Sequence, residues 1–410
     1  MRVLFATPYV PSLTKPRPRR FIEHLARAHD IHLVAVHPGA LEDIQDHPDF
    51  VALRRMCASV TLLPLARLRR YVNVMRGIPS RLPARVAYYN VATIREALLR
   101  TAERHAVEAV HVDRLRLAPA AISLDLPKIV DATDCLSDYH RQCMRYVHPA
   151  LKPAYYVEYL KTRRYEHSAG AAYDRCLVTT VYDRNHYLGS AYDERLTVLP
   201  NLLEDRLFTY PAESLGHLPA TVVFSGYFSY LPNIDAARYL LRTIWPLIVR
   251  QVPEVRLILA GAAPHPDTRR LAERAGAKVT GYVPDLAAVV ASATVVVSPT
   301  RIAVGFPNKV AEALALGKPV VSTSAGCRGL GDCTGALVTA DGARAFARAV
   351  VHLLRDAEAR AALGAAGRAF MSTHFHPTLV GARLDAIYAE MSRQVPASSA
   401  ITAYGAGLRA

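Results

Sequence analysis

The sequence predicts an α/β protein built as two doubly wound parallel-sheet domains that face a cleft. Three observations lead there. At 410 residues the chain exceeds one ordinary core, so two domains of nearly 200 residues each are the natural division. Short β-branched runs alternate with stretches of helical spacing, the pattern of parallel strands covered on both faces. The alternation breaks once, across Pro200–Pro219, which has no clean period and three prolines, and then starts again.

In the first half, strands are expected at Val3–Ala6, Ile31–Val36, Val60–Leu63, Ala109–Val112, Ile129–Ala132, Cys176–Thr179 and Leu196–Leu199. A long polar loop containing KPRPRR follows the first strand. A helix is expected from about Arg19 to His29, with Phe21, Ile22 and Leu25 on one face, and another over Val91–His105. The loop has no glycine-rich fingerprint, which argues against a dinucleotide there. In the second half, strands are expected at Thr221–Ser225, Arg256–Ala260, Lys278–Val283, Thr294–Ser298, Val320–Thr323 and Ala336–Thr339. A helix over Ile234–Arg250, one over Asp267–Ala275 and a short one over Leu286–Ala291, capped by Asp285, lie between them. Helices Ala343–Arg355, Ala357–Met371 and Leu379–Ser392 end the ordered chain. The expected units are residues 1–205, residues 206–376, a final helix over 377–394 returning to the first unit, and a disordered tail over 395–410.

Composition narrows the class. Apolar residues make up 51% and charged residues 21%, the balance of a soluble globular protein. No run approaches the ~18 apolar residues of a membrane span, and the N-terminus lacks a signal-peptide layout. Six scattered cysteines with no CxxC pair read as reduced thiols in a cytoplasmic protein. The net charge of +15 favours anionic partners. Arg67–Arg100 holds eight arginines against the single acid Glu96, interleaved with Leu, Val, Met and Tyr. That region reads either as a site for an anionic membrane surface, which would make the protein peripheral at the inner membrane face, or as a solvated basic face. No nucleic-acid-binding signature is present.

One stretch carries the chemistry. Ser298–Thr323 reads strand, glycine turn, helix, turn, strand. Gly305, Phe306, Pro307 and Asn308 break the strand pattern, and helical spacing runs from Lys309 to Leu316. A turn that opens a helix presents free N–H groups and the positive dipole end to one spot, which suits a phosphate. Lys309 and Glu312 share the first turn of that helix. Ligands of doubly wound sheets sit beyond the carboxyl ends of the strands. Residues just after the second-half strands, among them Gly226, Tyr227, Asn233 and Val283, are therefore expected to line the cleft.

The segment VGFPNKVAEALALGKPVVST resembles the donor-site signature of the retaining glycosyltransferases of family 4, in the G-F-x-x-K-x-x-E form of a bacterial polysaccharide-type subgroup. The likeness extends over about residues 221–325, and the first half resembles the family in architecture. It implies the GT-B fold and transfer of a sugar from a nucleotide-sugar to a hydroxyl acceptor, either a glycan, a lipid-linked acceptor or a natural product. It also implies retention, no cofactor and no metal. Glu312 would hold the ribose, and Gly305, Phe306 and Asn308 would face the diphosphate and sugar. The family places a glutamate where this chain has Val304, and an Arg and a Lys where Gly226–Asn233 offers none. Lys309 and Arg301 are expected to supply the missing positive charge to the leaving diphosphate.

The first half would hold the acceptor. Asp113, Asp131, Asp134 and His140 lie at or just beyond strand ends, where a carboxylate or imidazole can orient or deprotonate a hydroxyl. Two other functions fit the same sequence. A nucleotide-sugar 2-epimerase would need more acids and histidines around the sugar. A catalytically silent binding subunit is compatible with Val304.

Overall fold

A computed structural model describes residues 1–39, 44–65, 67–89, 92–186, 194–211 and 220–394. Two sheets organise it. The first contains β1 (Arg2–Thr7), β2 (Asp30–His37), β3 (Ser59–Pro64), β4 (Ala109–Asp113), β5 (Lys128–Thr133), β6 (Arg175–Val178) and β7 (Leu196–Val198), in the order β3-β2-β1-β4-β5-β6-β7. The second contains β8 (Thr221–Ser225), β9 (Arg256–Ala260), β10 (Lys278–Val279), β11 (Val295–Ser298), β12 (Val320–Ser322) and β13 (Val338–Thr339), in the order β10-β9-β8-β11-β12-β13. Every strand pair is parallel. Both sheets therefore reverse winding at an equivalent place, between β1 and β4 and between β8 and β11. The crevice beyond the carboxyl ends at such a reversal is where doubly wound sheets bind ligands.

Five helices position the cleft. They are α1 (Pro16–Leu25), α2 (Arg67–Gly77), α3 (Lys152–Ala169), α4 (Asn308–Ala315) and α5 (Pro377–Gln394). Helix α1 starts three residues before the expected Arg19, because Pro16 and Pro18 sit in its first turn, where a missing N–H breaks no intrahelical bond. The helix expected over Ile234–Arg250 is three pieces: α-helix Leu231–Tyr239, a π turn over Leu240–Ile244 and α-helix Trp245–Val249. Pro246 removes the N–H that a continuous α-helix would use there, and the wide turn takes up the discontinuity. The strand expected to reach Val283 stops at Val279; Gly281 (φ +70°) turns the chain away.

Helix α5 packs across the first sheet although it follows the helices of the second. Val380, Leu384, Ile387, Tyr388 and Met391 are buried in one cluster with Val3, Phe5, Phe21 and Ile31. The Tyr388 hydroxyl pairs with His111 Nδ1 at 2.8 Å, and His24 pairs with Asp385 at 2.8 Å. Gly381 lets the backbone pass His24, whose Cε1 would lie 2.6 Å from a Cβ. The segment over 395–410 and residues 212–219 of the expected linker lie outside the described residues. No described helix is long and apolar enough to cross a membrane.

Candidate active site

A cavity of about 420 Å³ opens between the two sheets at their carboxyl ends. From the second sheet it is lined by Ser225, Gly226 and Tyr227 after β8, by Gly261 after β9, and by Tyr282, Val283 and Pro284. Ser298 and Thr300 after β11, and the turn Val304–Asn308 with Lys309 and Glu312, complete that wall. Leu13, Thr14, Pro16, Arg20, Tyr182, Glu204 and Arg206 contribute from outside the second sheet. Its size suits a small-molecule substrate.

The glycines serve close approach. A Cβ on Gly261 (φ +142°) would fall 2.0 Å from the Gly226 carbonyl, so the loops after β8 and β9 meet backbone to backbone. Gly305 (φ +73°) faces Asp134 of the first domain, whose Oδ1 would lie 2.0 Å from a Cβ. Its N–H donates to Asp183 Oδ1 at 3.2 Å, and that same oxygen accepts the Cys135 N–H at 3.1 Å. Asp183 is fully buried, and burial together with Asp134 pushes its carboxyl up to about 6. It ties the donor-side turn to the first domain. No short motif marks it in the sequence.

Gly226, Tyr227, Asn233, Val283, Gly305, Phe306, Asn308, Lys309 and Glu312 all line the cavity. Lys309 Nζ donates to Asn233 Oδ1 and lies 4.9 Å from the centre of the Phe224 ring. Burial pushes its pKa down to about 8. Asn233 in turn donates to the Tyr227 carbonyl at 2.9 Å, so the lysine is held by a side chain that is itself fixed. Glu312 stands 4.0 Å from Arg20, and burial raises its pKa while Arg20 opposes the shift. Arg20 donates to Glu204 at 2.8 Å and to the Leu202 carbonyl at 2.7 Å. Arg206 joins Glu204 and Asp285 at the rim.

Arg301 is a correction. Its guanidinium forms a two-pronged pair with Asp235 (2.6 and 3.0 Å) between the rings of Tyr146 and Tyr239 at 4.7 and 4.5 Å. It does not line the cavity. The cations that do are Lys309, Arg20, Arg206 and Arg328. Arg328 stacks 3.6 Å over Tyr182 and donates to the Ala303 carbonyl at 2.7 Å. Arg17 and Arg20 were legible in principle: Arg17 stands three residues before Arg20 and four before Phe21, which stands four before Leu25, the spacing of a helix that starts at the prolines. A string of prolines and arginines read as a loop hid them.

Of the acceptor-side expectations, Asp131 is the second correction. Arg17 takes both of its oxygens (2.6 and 3.2 Å), and Thr133 donates to Oδ1 at 3.1 Å, so the carboxylate holds α1 against the first sheet. It is buried and does not line the cavity. His140 is buried between Tyr139 and Tyr155, and burial with nearby Arg85 pushes its pKa down to about 4. It stays neutral and lies outside the cavity lining. Asp134 pairs with Arg114 at 3.4 Å. Asp113 is buried at the end of β4, where its carboxyl is pushed up to about 6. Val304 packs beside Ile302 and Tyr139. Among the described residues no three His, Cys, Asp or Glu side chains converge to hold a metal ion.

Two doubly wound domains whose winding reversals face each other across a substrate-sized cavity form the GT-B architecture. Residues 219–356 match the family Glycosyl transferases group 1. The whole chain superposes on solved GT-B structures. Sucrose-phosphate synthase from Thermosynechococcus elongatus aligns with a TM-score of 0.71 at 15% identity, covering 96% of this chain and 100% of that one. Anabaena HepE, solved in complex with UDP, aligns with a TM-score of 0.64 at 15% identity, covering 95% and 100%. Staphylococcus aureus TarM aligns at 0.67 and 10% identity, covering 95% and 99%. No curated protein matches the chain by sequence.

Proposed function

We propose that the protein is a retaining, metal-independent glycosyltransferase of the family 4 type, moving a sugar from a nucleotide-sugar to a hydroxyl acceptor. The observation that carries this is the joint placement of Lys309, Glu312 and the Gly305–Asn308 turn on one cavity wall at the second sheet's winding reversal. The base would lie against Val283 and its neighbours, and Glu312 would take the ribose hydroxyls. The diphosphate would face Lys309, with Arg20 or Arg328 supplying charge from the other side of the cavity. As the glycosidic bond to the donor breaks, negative charge builds on the leaving phosphate, and cations already in place stabilise it. That phosphate can accept the acceptor's proton on the same face.

Incubation with UDP-, GDP- and dTDP-sugars and an acceptor panel tests the reading. Nucleoside diphosphate release that depends on acceptor is expected, and binding without release under every condition would overturn it. A silent donor-binding subunit is the second reading. Val304, an apolar side chain on the cavity wall where the family pattern has a glutamate, favours it.

The working location we propose is the cytoplasmic face of an anionic membrane. Helix α2 exposes Leu68 (76%), Tyr71 (65%) and Met75 (65%), and Ile78 follows it. Helix α3 exposes Tyr156, Val157 and Leu160. Lys161 donates to the Ile78 carbonyl at 2.7 Å, which joins the two helices into one face. Arg76, Arg81 and Lys152 are exposed with it. Apolar and cationic side chains mixed in this way suit an anionic lipid interface.

A further inference from the structure

The first sheet has its own winding reversal, between β1 and β4, facing the donor cavity. Tyr9 and, further along the loop, Lys15 follow β1, while Asp113 ends β4 and Arg114 and Arg116 follow it. Lys15 Nζ sits 4.3 Å over the Tyr9 ring, and Arg114 Nε approaches the Tyr9 hydroxyl at 3.3 Å. Arg116 lies 5.7 Å from the centre of the Tyr89 ring. Arg85 lies 5.4 Å over Tyr139, which stacks on Tyr230 of the donor-cavity wall (6.0 Å, 9° between planes). The aromatic rings thus space four cations along a path that ends at the donor cavity.

We propose that Lys15, Arg85, Arg114 and Arg116 form an anion subsite that takes a phosphate monoester carried by the acceptor. This rests on the glycosyltransferase reading.

Charge is the first argument. Among the described residues Lys15, Arg85 and Arg116 have no carboxylate within ion-pair distance, while Arg114 meets Asp134 at 3.4 Å and Asp113 at 3.9 Å. Four cations against two carboxylates leave a surplus of two, which matches the charge of about −1.5 to −2 on a phosphate monoester near neutral pH. Burial lowers the pKa of Arg116 and of Lys15, and the neighbouring cations add to it, Arg114 and Arg85 at Arg116 and Arg116 at Lys15. Lys15 and Arg85 are exposed, and Arg114 and Arg116 are half-buried beside the end of β4.

Backbone strain is the second argument. Arg114 adopts φ +72°, ψ +132°, a region that non-glycine residues avoid at a cost of about 1–3 kcal/mol. Its N–H is held by the Asp131 carbonyl at 2.8 Å, and Asp131 is itself clamped by Arg17. The chain keeps an arginine where glycine would be relaxed, and its guanidinium sits among the Tyr9 hydroxyl, Asp113 and Asp134. Guanidinium forks fit phosphate oxygens in pairs, which is the reason to name phosphate rather than a lone carboxylate.

The test uses protein saturated with UDP, so that donor binding is measured first. Calorimetry would then follow inorganic phosphate, glucose 6-phosphate and vesicles of phosphatidic acid. Binding of inorganic phosphate to the UDP complex is expected, and Arg116→Gln and Arg85→Gln should each weaken it at least about tenfold. Both variants should keep UDP affinity within about twofold and an unchanged melting temperature. Tighter binding of the sugar phosphate assigns the ester to a soluble acceptor. Tighter binding of the vesicles that the same substitutions weaken assigns it to a lipid headgroup. Phosphate affinity absent in the wild type, or equal in wild type and variants, would overturn the subsite. Failure to bind UDP would instead count against the donor reading.

Discussion

Lys309 is the side chain whose charge the cavity controls most directly. Burial holds its pKa near 8, so the amine is protonated below that pH and loses its charge above it. A bound diphosphate would favour the protonated form and raise the pKa in the complex. The linkage sign follows. UDP affinity should be flat below about pH 8 and fall by up to ~tenfold per pH unit above it, until the raised pKa of the complex is passed. In Lys309→Met the affinity should be weaker at neutral pH and flat to pH 9.5. A wild-type affinity that does not change between pH 7 and 9.5 would remove Lys309 from the diphosphate contact. Glu166 carries a separate pH effect. It is fully buried, accepts the Ser137 N–H at 3.1 Å, and is pushed up to about 7 by burial. Because the folded state holds this proton more tightly than the unfolded chain, its contribution falls as pH rises toward and through 7. At about 1.4 kcal/mol per pKa unit, that is a loss on the order of a few kcal/mol. Denaturant melts of wild type and Glu166→Gln across pH 5–8 should diverge in that window. Parallel stability curves would show that the proton is not linked to folding.

At the scale of elements, the strands were the most legible feature. A strand buried on both faces reads as an unbroken apolar run such as Val295–Val297, and each strand of both sheets overlaps an expected one, even where, as in β10 (Lys278–Val279), it is short and partly exposed. What the runs could not convey was how the elements meet. Gly305 is conspicuous in the sequence as a turn glycine, yet the second reason for it, the Asp134 carboxylate against its α-carbon, lies in the other domain. Asp131 is conspicuous as a strand-end acid, and its partner Arg17 lies 114 residues away in a helix disguised by prolines. Gly305→Ala should therefore suffer twice, from φ +73° and from the collision. A destabilisation of roughly 1–3 kcal/mol is expected. Asp134→Ala in the same chain should restore part of it, and a double-mutant cycle showing no coupling would discard the collision. The α2–α3 face belongs to this scale too. Co-sedimentation with phosphatidylglycerol vesicles should be strong at low salt and weaken as salt screens the arginines. Leu68→Ser with Met75→Ser should reduce it further, and no sedimentation at low salt would rule the membrane face out.

For the whole molecule, the question is how firmly the two domains hold the cleft at its present width. On one side the connection is apolar and extensive, through α5 and the segment that includes Leu199, Leu202, Leu203 and Leu207. Away from that side the contacts mix a small apolar cluster of Tyr139, Cys143, Ile302 and Val304 with a few hydrogen bonds. Gln142 exchanges two hydrogen bonds with the Ala303 backbone at 2.9 and 3.0 Å. Asn201 donates to Asn308 at 2.9 Å, and Gly305 donates to Asp183. Hydrogen bonds of this kind contribute about 0.5–1.5 kcal/mol each, which is small beside a ligand that touches both walls. A small, mixed contact of this kind suits an interface between domains that opens, with the more extensive apolar side acting as the hinge. Gln142→Ala deletes two of the clasps, and Gln142 itself lies outside the cavity lining and the hinge. Its radius of gyration by small-angle scattering should exceed that of the wild type in the absence of ligand. Saturating UDP should bring the two together, because a nucleotide held by Glu312 and Lys309 on one wall and facing Arg20 on the other supplies the attraction that Gln142 gave. Equal radii for both proteins, with and without UDP, would mean that the apolar side alone fixes the cleft and that the substrate enters a preformed site.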